Sequence, residues 1–224
     1  MEKIKVLIAD DHTIVRQGLR ALLEVETDMT IVAEADNGRQ ALRLALKLQP
    51  DVVVIDVAMP QLNGLEATRQ ILKEVPGTRV LVLSSYSDDE YIRQATEAGA
   101  AGYLLKQTAA ADLIRAIREA RNGNAYFSPA ISKQILENYR DAFLKGAPVG
   151  TRVDRLTSRE AEVLQLVAEG KANKQISAEL CVSVKTVEKH RQQMMNKLNI
   201  HDVAGLTRYA ISKGIIETSV SPRL

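Results

Sequence analysis

The chain has very few cysteines and no long apolar segment. Its single cysteine, Cys181, cannot form an internal disulfide, and no group of cysteines and histidines has the spacing of a zinc site. The apolar run that begins at Ile4 ends after six residues at two aspartates, which is too short for the core of a signal peptide. No apolar stretch approaches the roughly 18 residues that a membrane span needs. These absences predict a protein of the reducing cytoplasm with no membrane partner.

The chain also lacks a strong net charge. The formal net charge is +2 over 224 residues, which by itself indicates no particular partner. Residues 151–224 hold 12 Lys and Arg against 8 Asp and Glu, whereas the preceding residues hold 18 against 20. A mildly acidic first part and a basic last part indicate different partners for the two parts. The basic excess is too small to establish nucleic-acid binding.

Apolar runs of strand length alternate with amphipathic stretches of helix length as far as about residue 121. Five such units predict an α/β domain, a doubly wound five-stranded parallel sheet with helices on both faces. Beyond Tyr126 the pattern becomes helical, and Ser128-Pro129 is typical of a helix N-cap and first turn, with the helix running to about Asp141. We predict an α/β domain over 1–125, a linker with one helix over 126–153, and a small all-α domain over 154–224.

Four of the five predicted strands end on a polar residue suited to phosphoryl chemistry. The first ends at Asp10-Asp11, and three later strands end at Asp56, Ser84 and Lys106. Because the carboxyl ends of parallel strands share one edge of a sheet, where ligands bind, we expect these side chains to converge. Three carboxylates, one hydroxyl and one ammonium suit a divalent cation beside an acceptor aspartate.

Each of these side chains has a predicted role. Asp56 is the candidate nucleophile, because a carboxylate can accept a phosphoryl group and form an acyl phosphate. Asp10 and Asp11 would hold Mg²⁺, which favours one or two carboxylates together with water and phosphoryl oxygens. Lys106 would pair with the phosphoryl oxygens as a point charge, and Ser84 would donate a hydrogen bond to them. Taken singly, each is more often a helix cap or a surface charge, and Asp11 could simply cap the helix that follows it.

The last part of the chain predicts four short helices over about 157–213. The second and third, Asn173–Leu180 and Val184–Leu198, are joined by a three-residue turn and have the layout of a helix-turn-helix, whose second helix enters the major groove. The third helix has two faces. Its core face is predicted to hold Val184, Val187, Met194 or Met195, and Leu198, and its outer face Lys185, Lys189, Gln192 and Asn196. The alternative for such a basic outer face is a solvated surface.

Residues 4–121 resemble the receiver domain of bacterial response regulators. The resemblance rests on Ile-Ala-Asp-Asp at 8–11, Asp56-Val57-Ala58-Met59-Pro60, Gly64, Ser84 and Lys106. It implies the flavodoxin-like or CheY-like strand order 2-1-3-4-5 and a sensor histidine kinase that phosphorylates Asp56. The implied Mg²⁺ ligands are Asp10, Asp11, Asp56 and the backbone carbonyl of Ala58. Ser84 and Tyr103 are the implied switch residues, and Tyr103 is expected to move inward as Ser84 shifts.

Two positions depart from the receiver pattern. In receivers, the residues two after the acceptor and two after the switch hydroxyl position the water that hydrolyses the acyl phosphate. Here they are Ala58 and Tyr86, and neither offers an amide, ammonium or carboxylate. We therefore expect slow self-dephosphorylation and a long-lived phosphorylated state.

The stretch from Leu156-Thr157-Ser158-Arg159-Glu160 to Lys197-Leu198 resembles the LuxR-type helix-turn-helix, most clearly over 184–190. Both parts together are similar to a response regulator of the NarL/FixJ type. The resemblance implies a transcription factor whose phosphorylation switches homodimerisation and binding to double-stranded DNA, with RNA polymerase as a further candidate partner. The implied base contacts are Glu188, Lys189 and Gln192, with Arg191 beside them, and the implied phosphate contacts are Asn173, Lys174, Lys185 and Thr186. Glu188 stands where relatives have lysine, so their base preference does not carry over.

Two other classes of function were weighed on the residues. A phosphohydrolase that used Asp56 as its nucleophile would need a general acid two residues later, where Ala58 has no proton to give. An interaction module that had lost phosphorylation would act by binding alone, but every residue of the pocket is present. The sequence therefore favours a phosphoacceptor and DNA-binding regulator over an enzyme.

Overall fold

The computed structural model describes residues 3–107, 110–144 and 156–216, and it divides into two compact units, Met1–Thr151 and Arg152–Leu224. The first unit is an α/β layer structure, and the second is built of helices. Among the described residues, no helix combines the length and the apolar character needed to cross a membrane.

The first unit contains one parallel sheet of six strands in the order β2-β1-β3-β4-β5-β6. The strands are β1 Ile4–Ala9, β2 Met29–Ala35, β3 Val52–Asp56, β4 Arg79–Ser84, β5 Gly102–Leu105 and β6 Tyr126–Phe127. The predicted order of the first five is confirmed, but the predicted count of five is wrong. β6 has only two residues, too few for any hydrophobic period to be visible in the sequence. Its close approach requires Gly102, because a Cβ there would lie 2.1 Å from the Tyr126 carbonyl oxygen.

Helices cover both faces of the sheet. They are α1 Thr13–Glu24, α2 Gly38–Leu48, α3 Gly64–Glu74, α4 Asp89–Ala98, α5 Ala110–Arg121 and α6 Pro129–Leu144. Successive strand residues point to opposite faces, so Leu7 packs in the cluster with α2, α3 and α4, whereas its neighbours Val6 and Ile8 pack with α1 and α5. Both clusters are buried, which explains the nearly continuous Val, Ile and Leu runs of the central strands.

The segment predicted as a linker begins as part of the first unit. β6 joins the sheet, and the side chain of Ile131 in α6 is fully buried in the core that contains α4. Ser128 directly precedes α6, which begins at Pro129 as predicted, and the Ser128 carbonyl accepts from the Ser132 N–H. The buried Ser128 hydroxyl has no hydrogen-bond partner in the described part of the chain, so the N-cap lacks a side-chain bond. The last part of the predicted linker, residues 145–153, lies outside the described residues.

The second unit has the four predicted helices, α7 Ser158–Ala168, α8 Asn173–Leu180, α9 Val184–Leu198 and α10 Val203–Ser212. Thr157 and Glu160 form a capping box at the start of α7, and Ser183 caps α9 by accepting from the Thr186 N–H. The core contains Val187 and Met194 of α9. The placement of Val184 in this core is wrong: as the first residue of α9 it is 39% exposed, and Val187 is the residue that packs inward.

Candidate functional site

The structure brings the predicted polar residues together at the carboxyl edge of the sheet. Asp10, Asp56 and Ser84 lie at the ends of β1, β3 and β4 and are buried, and Lys106 directly follows β5. The Lys106 ammonium lies 2.8 Å from Oδ2 of Asp10 and 3.0 Å from Oδ2 of Asp56. Strand order explains this meeting, because β1, β3, β4 and β5 are successive neighbours in the sheet.

Asp11 and His12 form the rim of this site. Ligand atoms of Asp10, Asp11, His12 and Asp56 all lie within 4.8 Å of one another. His12 Nδ1 is 2.7 Å from Oδ1 of Asp11, and the backbone N–H of His12 donates to Oδ1 of Asp10 over 2.8 Å. Sequence reasoning missed His12, whose only signal was its position directly after the two aspartates. The N-cap residue of α1 is His12, without a side-chain cap bond, so Asp11 is not the cap of that helix.

Burial and neighbouring charges shift the pKa of the acceptor carboxyl, Asp56. Burial, followed by the charges of Asp10 and Asp11, raises the pKa of Asp56 to about 7, although the Lys106 ammonium opposes this change. Burial acts to lower the pKa of Lys106, but the carboxylates of Asp56 and Asp10 outweigh it and raise that pKa. Lys106 therefore stays cationic at neutral pH, whereas the Asp56 carboxyl gains or loses its proton close to neutral pH.

The loop after β3 is built tightly around Asp56. The Val57 N–H donates to Oδ1 of Asp56 over 2.9 Å, and Gly64 N–H donates to the Val57 carbonyl over 2.8 Å. A Cβ at Gly64 would lie 1.8 Å from the backbone oxygen of Asp56, so glycine is the residue that lets α3 begin this close to the acceptor. Asn63 caps α3 by accepting from Glu66 N–H.

The carboxylate oxygens of this site are compatible with a magnesium ion. Asp10, Asp11 and Asp56 offer carboxylate oxygens, the hard ligands that Mg²⁺ prefers. Burial is the main cause of the raised pKa of Asp56, and the charges of Asp10 and Asp11 add to it; a bound dication would offset this part. Nothing in the described contacts assigns a role to the Ala58 carbonyl, which stays a prediction.

The two predicted switch residues are linked through Tyr86. Ser84 Oγ accepts from the Tyr86 N–H over 3.1 Å, and the Tyr103 hydroxyl donates to the Tyr86 carbonyl over 2.7 Å. Tyr103 is fully buried, and burial raises its pKa above the ordinary tyrosine value. The expected inward movement of Tyr103 as Ser84 shifts stays a prediction.

The second unit presents a polar surface at the start of α9. Ser183, Lys185, Thr186, Glu188 and Lys189 line a shallow concavity there. Lys185, Glu188, Lys189 and Gln192 are exposed on α9, as is Lys174 on α8, in agreement with the predicted outer face. Gln192 donates to Oδ1 of Asn196 one turn later, and the Thr186 and Ser183 hydroxyls are 2.8 Å apart.

Two of the predicted DNA contacts are half-buried and pair with each other. The Arg191 guanidinium on α9 donates to the Asn173 side-chain oxygen at the start of α8 over 2.8 Å. This bond joins the two helices of the helix-turn-helix. Arg159 of α7 adds a second brace by donating to the Leu180 carbonyl at the end of α8. Arg191 and Asn173 therefore hold α9 against α8, and neither residue is fully exposed.

Both units match known protein families. The family described as "Response regulator receiver domain" matches residues 6–118, and that described as "Bacterial regulatory proteins, luxR family" matches residues 154–210. The transcriptional regulatory protein LiaR of Bacillus subtilis is 39% identical over 207 residues, covering 92% of this chain and 96% of LiaR.

Solved structures agree with these matches. A structure of the RcsB response regulator of Salmonella typhimurium has a TM-score of 0.61 and 27% identity over 95% of this chain and 99% of that one. A structure described as two RcsB dimers bound to two parallel DNAs has a TM-score of 0.57 and 27% identity, covering 94% and 99% of the two chains. The chain is thus a member of the response-regulator family, a transcription regulator in which a receiver domain is followed by a LuxR-type DNA-binding domain.

Proposed function

We propose that transfer of a phosphoryl group from a sensor histidine kinase to Asp56 controls how the second unit binds double-stranded DNA. The observation that carries this proposal is the position of Lys106, whose ammonium lies between the buried carboxylates of Asp10 and Asp56. A fixed cation beside a buried acceptor supplies the charge neutralisation on which phosphoryl transfer mainly depends.

Asp56 is the nucleophile in this account. Its Oδ1 is held by the Val57 N–H, and its Oδ2 lies at the Lys106 ammonium. A carboxylate oxygen forms the new P–O bond while the P–N bond to the kinase phosphohistidine breaks, and the nitrogen leaves with that electron pair. The carboxylates of Asp10, Asp11 and Asp56 and the Ala58 carbonyl would hold Mg²⁺, which would further neutralise the charge of the phosphoryl oxygens.

The new phosphoryl group is detected by Ser84 and Lys106. The Ser84 hydroxyl accepts from the Tyr86 N–H but still has its own hydrogen to donate to a phosphoryl oxygen. Because Tyr86 is bonded both to Ser84 and to the Tyr103 hydroxyl, the response would pass through the loop after Ser84 and through Tyr103. Ala58 offers no polar group for the hydrolytic water, which supports slow self-dephosphorylation.

The exposed side chains of α9 are proposed to read the DNA. Glu188 can accept from cytosine N4, Gln192 can pair with adenine, and Lys189 can meet guanine or phosphate. Lys185, Thr186 and Lys174 are assigned to phosphates, which fix the register of a protein on the duplex. Asn173 and Arg191 would support this surface from behind through their mutual hydrogen bond.

Phosphorylation is proposed to favour a homodimer on paired half-sites about one helical turn apart. RNA polymerase is the further partner that a transcription regulator implies. A regulator with a kinase donor and a DNA target would act in the cytoplasm.

Phosphotransfer from a small donor tests the proposal. Acetyl phosphate with Mg²⁺ should label the wild-type protein with one phosphoryl group, detected by intact-protein mass spectrometry, and should leave Asp56→Ala unlabelled. Asp36→Ala, which removes an exposed carboxylate at the end of β2, is the control and should label like wild type. Equal labelling of Asp56→Ala and wild type would refute Asp56 as the acceptor.

A further inference from the structure

A glutamine of α6 contacts the loop that follows Ser84. Gln134 Nε2 donates to the Ser87 carbonyl over 2.9 Å and also bonds to the carboxylate of Asp89, the first residue of α4. Gln134 is thus the hydrogen-bonded contact between the switch loop, residues 85–88, and the helix that leads out of the first unit.

The base of α6 is fixed in the core, so Gln134 is held at a defined place. Ile131 is fully buried, Ile135 packs against the same cluster, and β6 pairs with β5 immediately before the helix. Residues 131, 134 and 135 share one helical face, which brings Gln134 toward α4. Lys133, by contrast, is 77% exposed on the other side of the helix.

The switch loop is tied to the acceptor site by three further contacts. The Tyr86 N–H bonds to Ser84 Oγ, the Tyr86 carbonyl accepts from the Tyr103 hydroxyl, and the Tyr86 ring stacks on Tyr91 of α4 with centroids 4.9 Å apart. Because the Tyr86 N–H is bonded to Ser84 Oγ, we expect a movement of Ser84 toward Asp56 to shift Tyr86 and its neighbour Ser87.

We propose that Gln134 is a positioning residue for the phosphorylation response, holding α6 against the switch loop until a phosphoryl group on Asp56 draws Ser84 inward. The loop then moves away from α6, whose base stays anchored by Ile131, and the bonds from Gln134 to Ser87 and Asp89 break. The inference rests on the proposed phosphorylation of Asp56 and adds to it the structural element that leads the signal out of the receiver.

Coupling between the Asp56 site and the Gln134 contact is reciprocal. It can therefore be measured as a change in ligand affinity at Asp56, without knowledge of the operator sequence. If modification breaks the Gln134 bonds, removal of those bonds must favour the modified state. Beryllium fluoride with Mg²⁺ serves as a phosphoryl mimic, and the full-length Gln134→Leu variant should bind it about two- to fivefold more tightly than wild type, the effect expected for two solvent-accessible hydrogen bonds. The matched control, Lys133→Leu, should bind like wild type.

Amide hydrogen exchange over residues 129–137 gives the second readout. In wild type and Lys133→Leu, exchange should quicken when beryllium fluoride is added. In Gln134→Leu it should be fast before addition and change little. A residue with only a structural role would lower the melting temperature and leave the fluoride affinity unchanged, and that result would overturn the inference.

The two proposals fail differently. If wild type binds beryllium fluoride and Asp56→Ala does not, but exchange over 129–137 is unaffected, the role of Gln134 is refuted and the acceptor role of Asp56 stands. If wild type and Asp56→Ala respond alike to beryllium fluoride, both proposals are refuted.

Discussion

The ammonium of Lys106 lies 3.0 Å from Oδ2 of Asp56, although 50 positions separate the two residues in the sequence. The ion pair offsets only part of the cost of a buried carboxylate, since the pKa of Asp56 is still raised to about 7. The site therefore holds an acceptor that is more stable when it is protonated, metal-bound or phosphorylated.

Replacement of Asp56 by asparagine should stabilise the protein in a pH-dependent way. The folded state keeps a proton on Asp56 up to about pH 7, whereas the unfolded chain loses it near the ordinary value of 3.8, so wild-type stability falls as pH rises between these values. Asp56→Asn should match wild type at pH 4 and be more stable at pH 8 by roughly 2–4 kcal/mol.

Urea unfolding followed by tyrosine fluorescence at both pH values measures this difference, since Tyr86 and Tyr103 lie close to the site. The exposed Asp36→Asn serves as the control and should behave like wild type at both values. An Asp56→Asn variant whose stability relative to wild type is the same at pH 4 and pH 8 would contradict the raised pKa.

Magnesium should stabilise the protein more strongly at pH 8 than at pH 6. Binding to the folded state adds about 2.7 kcal/mol at a concentration one hundred times Kd, and below pH 7 Asp56 must first release its proton. Thermal unfolding in a magnesium series gives the apparent Kd at each pH. Asp11→Asn removes one rim carboxylate and should weaken the response, whereas Asp36→Asn should keep it. The same magnesium response in Asp11→Asn would remove Asp11 from the ligand set.

Much of the site could be predicted because strand ends are visible in the sequence. The runs ending at Asp10, Asp56 and Ser84 are continuous and apolar, and parallel topology then fixes which edge their final residues share. His12 was missed because its contact with Asp11 depends on the backbone turn before α1, which carries no periodic signal. β6 and Gln134 were missed for a related reason: a two-residue strand and a single polar side chain on a helix are recognised only from their neighbours.

The second unit shows the same limit. The bounds of α8 and α9 and the exposure of Lys185 and Lys189 follow from local chemistry and agree with the prediction. The hydrogen bond between Arg191 and Asn173 links residues that lie 18 positions apart on different helices, so neither sequence patterns nor the resemblance that implied DNA contacts for both could predict it.

A polar side chain at position 58 should shorten the life of the phosphorylated state. Ala58 offers no group to orient a water, and the Tyr86 ring stacks on Tyr91. Ala58→Asn supplies an amide and should speed self-dephosphorylation on the order of tenfold, since correct placement of a reacting water is worth at least that much. Ala58→Leu, which has no polar atom, controls for bulk. The loss of phosphoprotein over time is followed by mass spectrometry, and equal lifetimes for Ala58→Asn and wild type would make the expectation wrong.

Arg191 should act through stability rather than through direct contact with DNA. Arg191→Ala and Asn173→Ala should each lower the stability of the second unit by about 1 kcal/mol, and the double variant by less than the sum. Binding to a random-sequence duplex in a salt series separates the two roles. Lys185→Ala should reduce the slope of log affinity against log salt by about 1, whereas Arg191→Ala should leave the slope unchanged. A reduced slope for Arg191→Ala would return this residue to the phosphate contacts.

Footprinting of the full-length protein on genomic fragments tests whether modification of Asp56 controls DNA binding by the second unit. Wild type and Asp56→Ala are each compared with and without prior treatment with acetyl phosphate and Mg²⁺. We expect protected DNA sites to appear or strengthen only in the treated wild-type sample. Protection that is the same in all four samples, or that increases equally in Asp56→Ala, would contradict it.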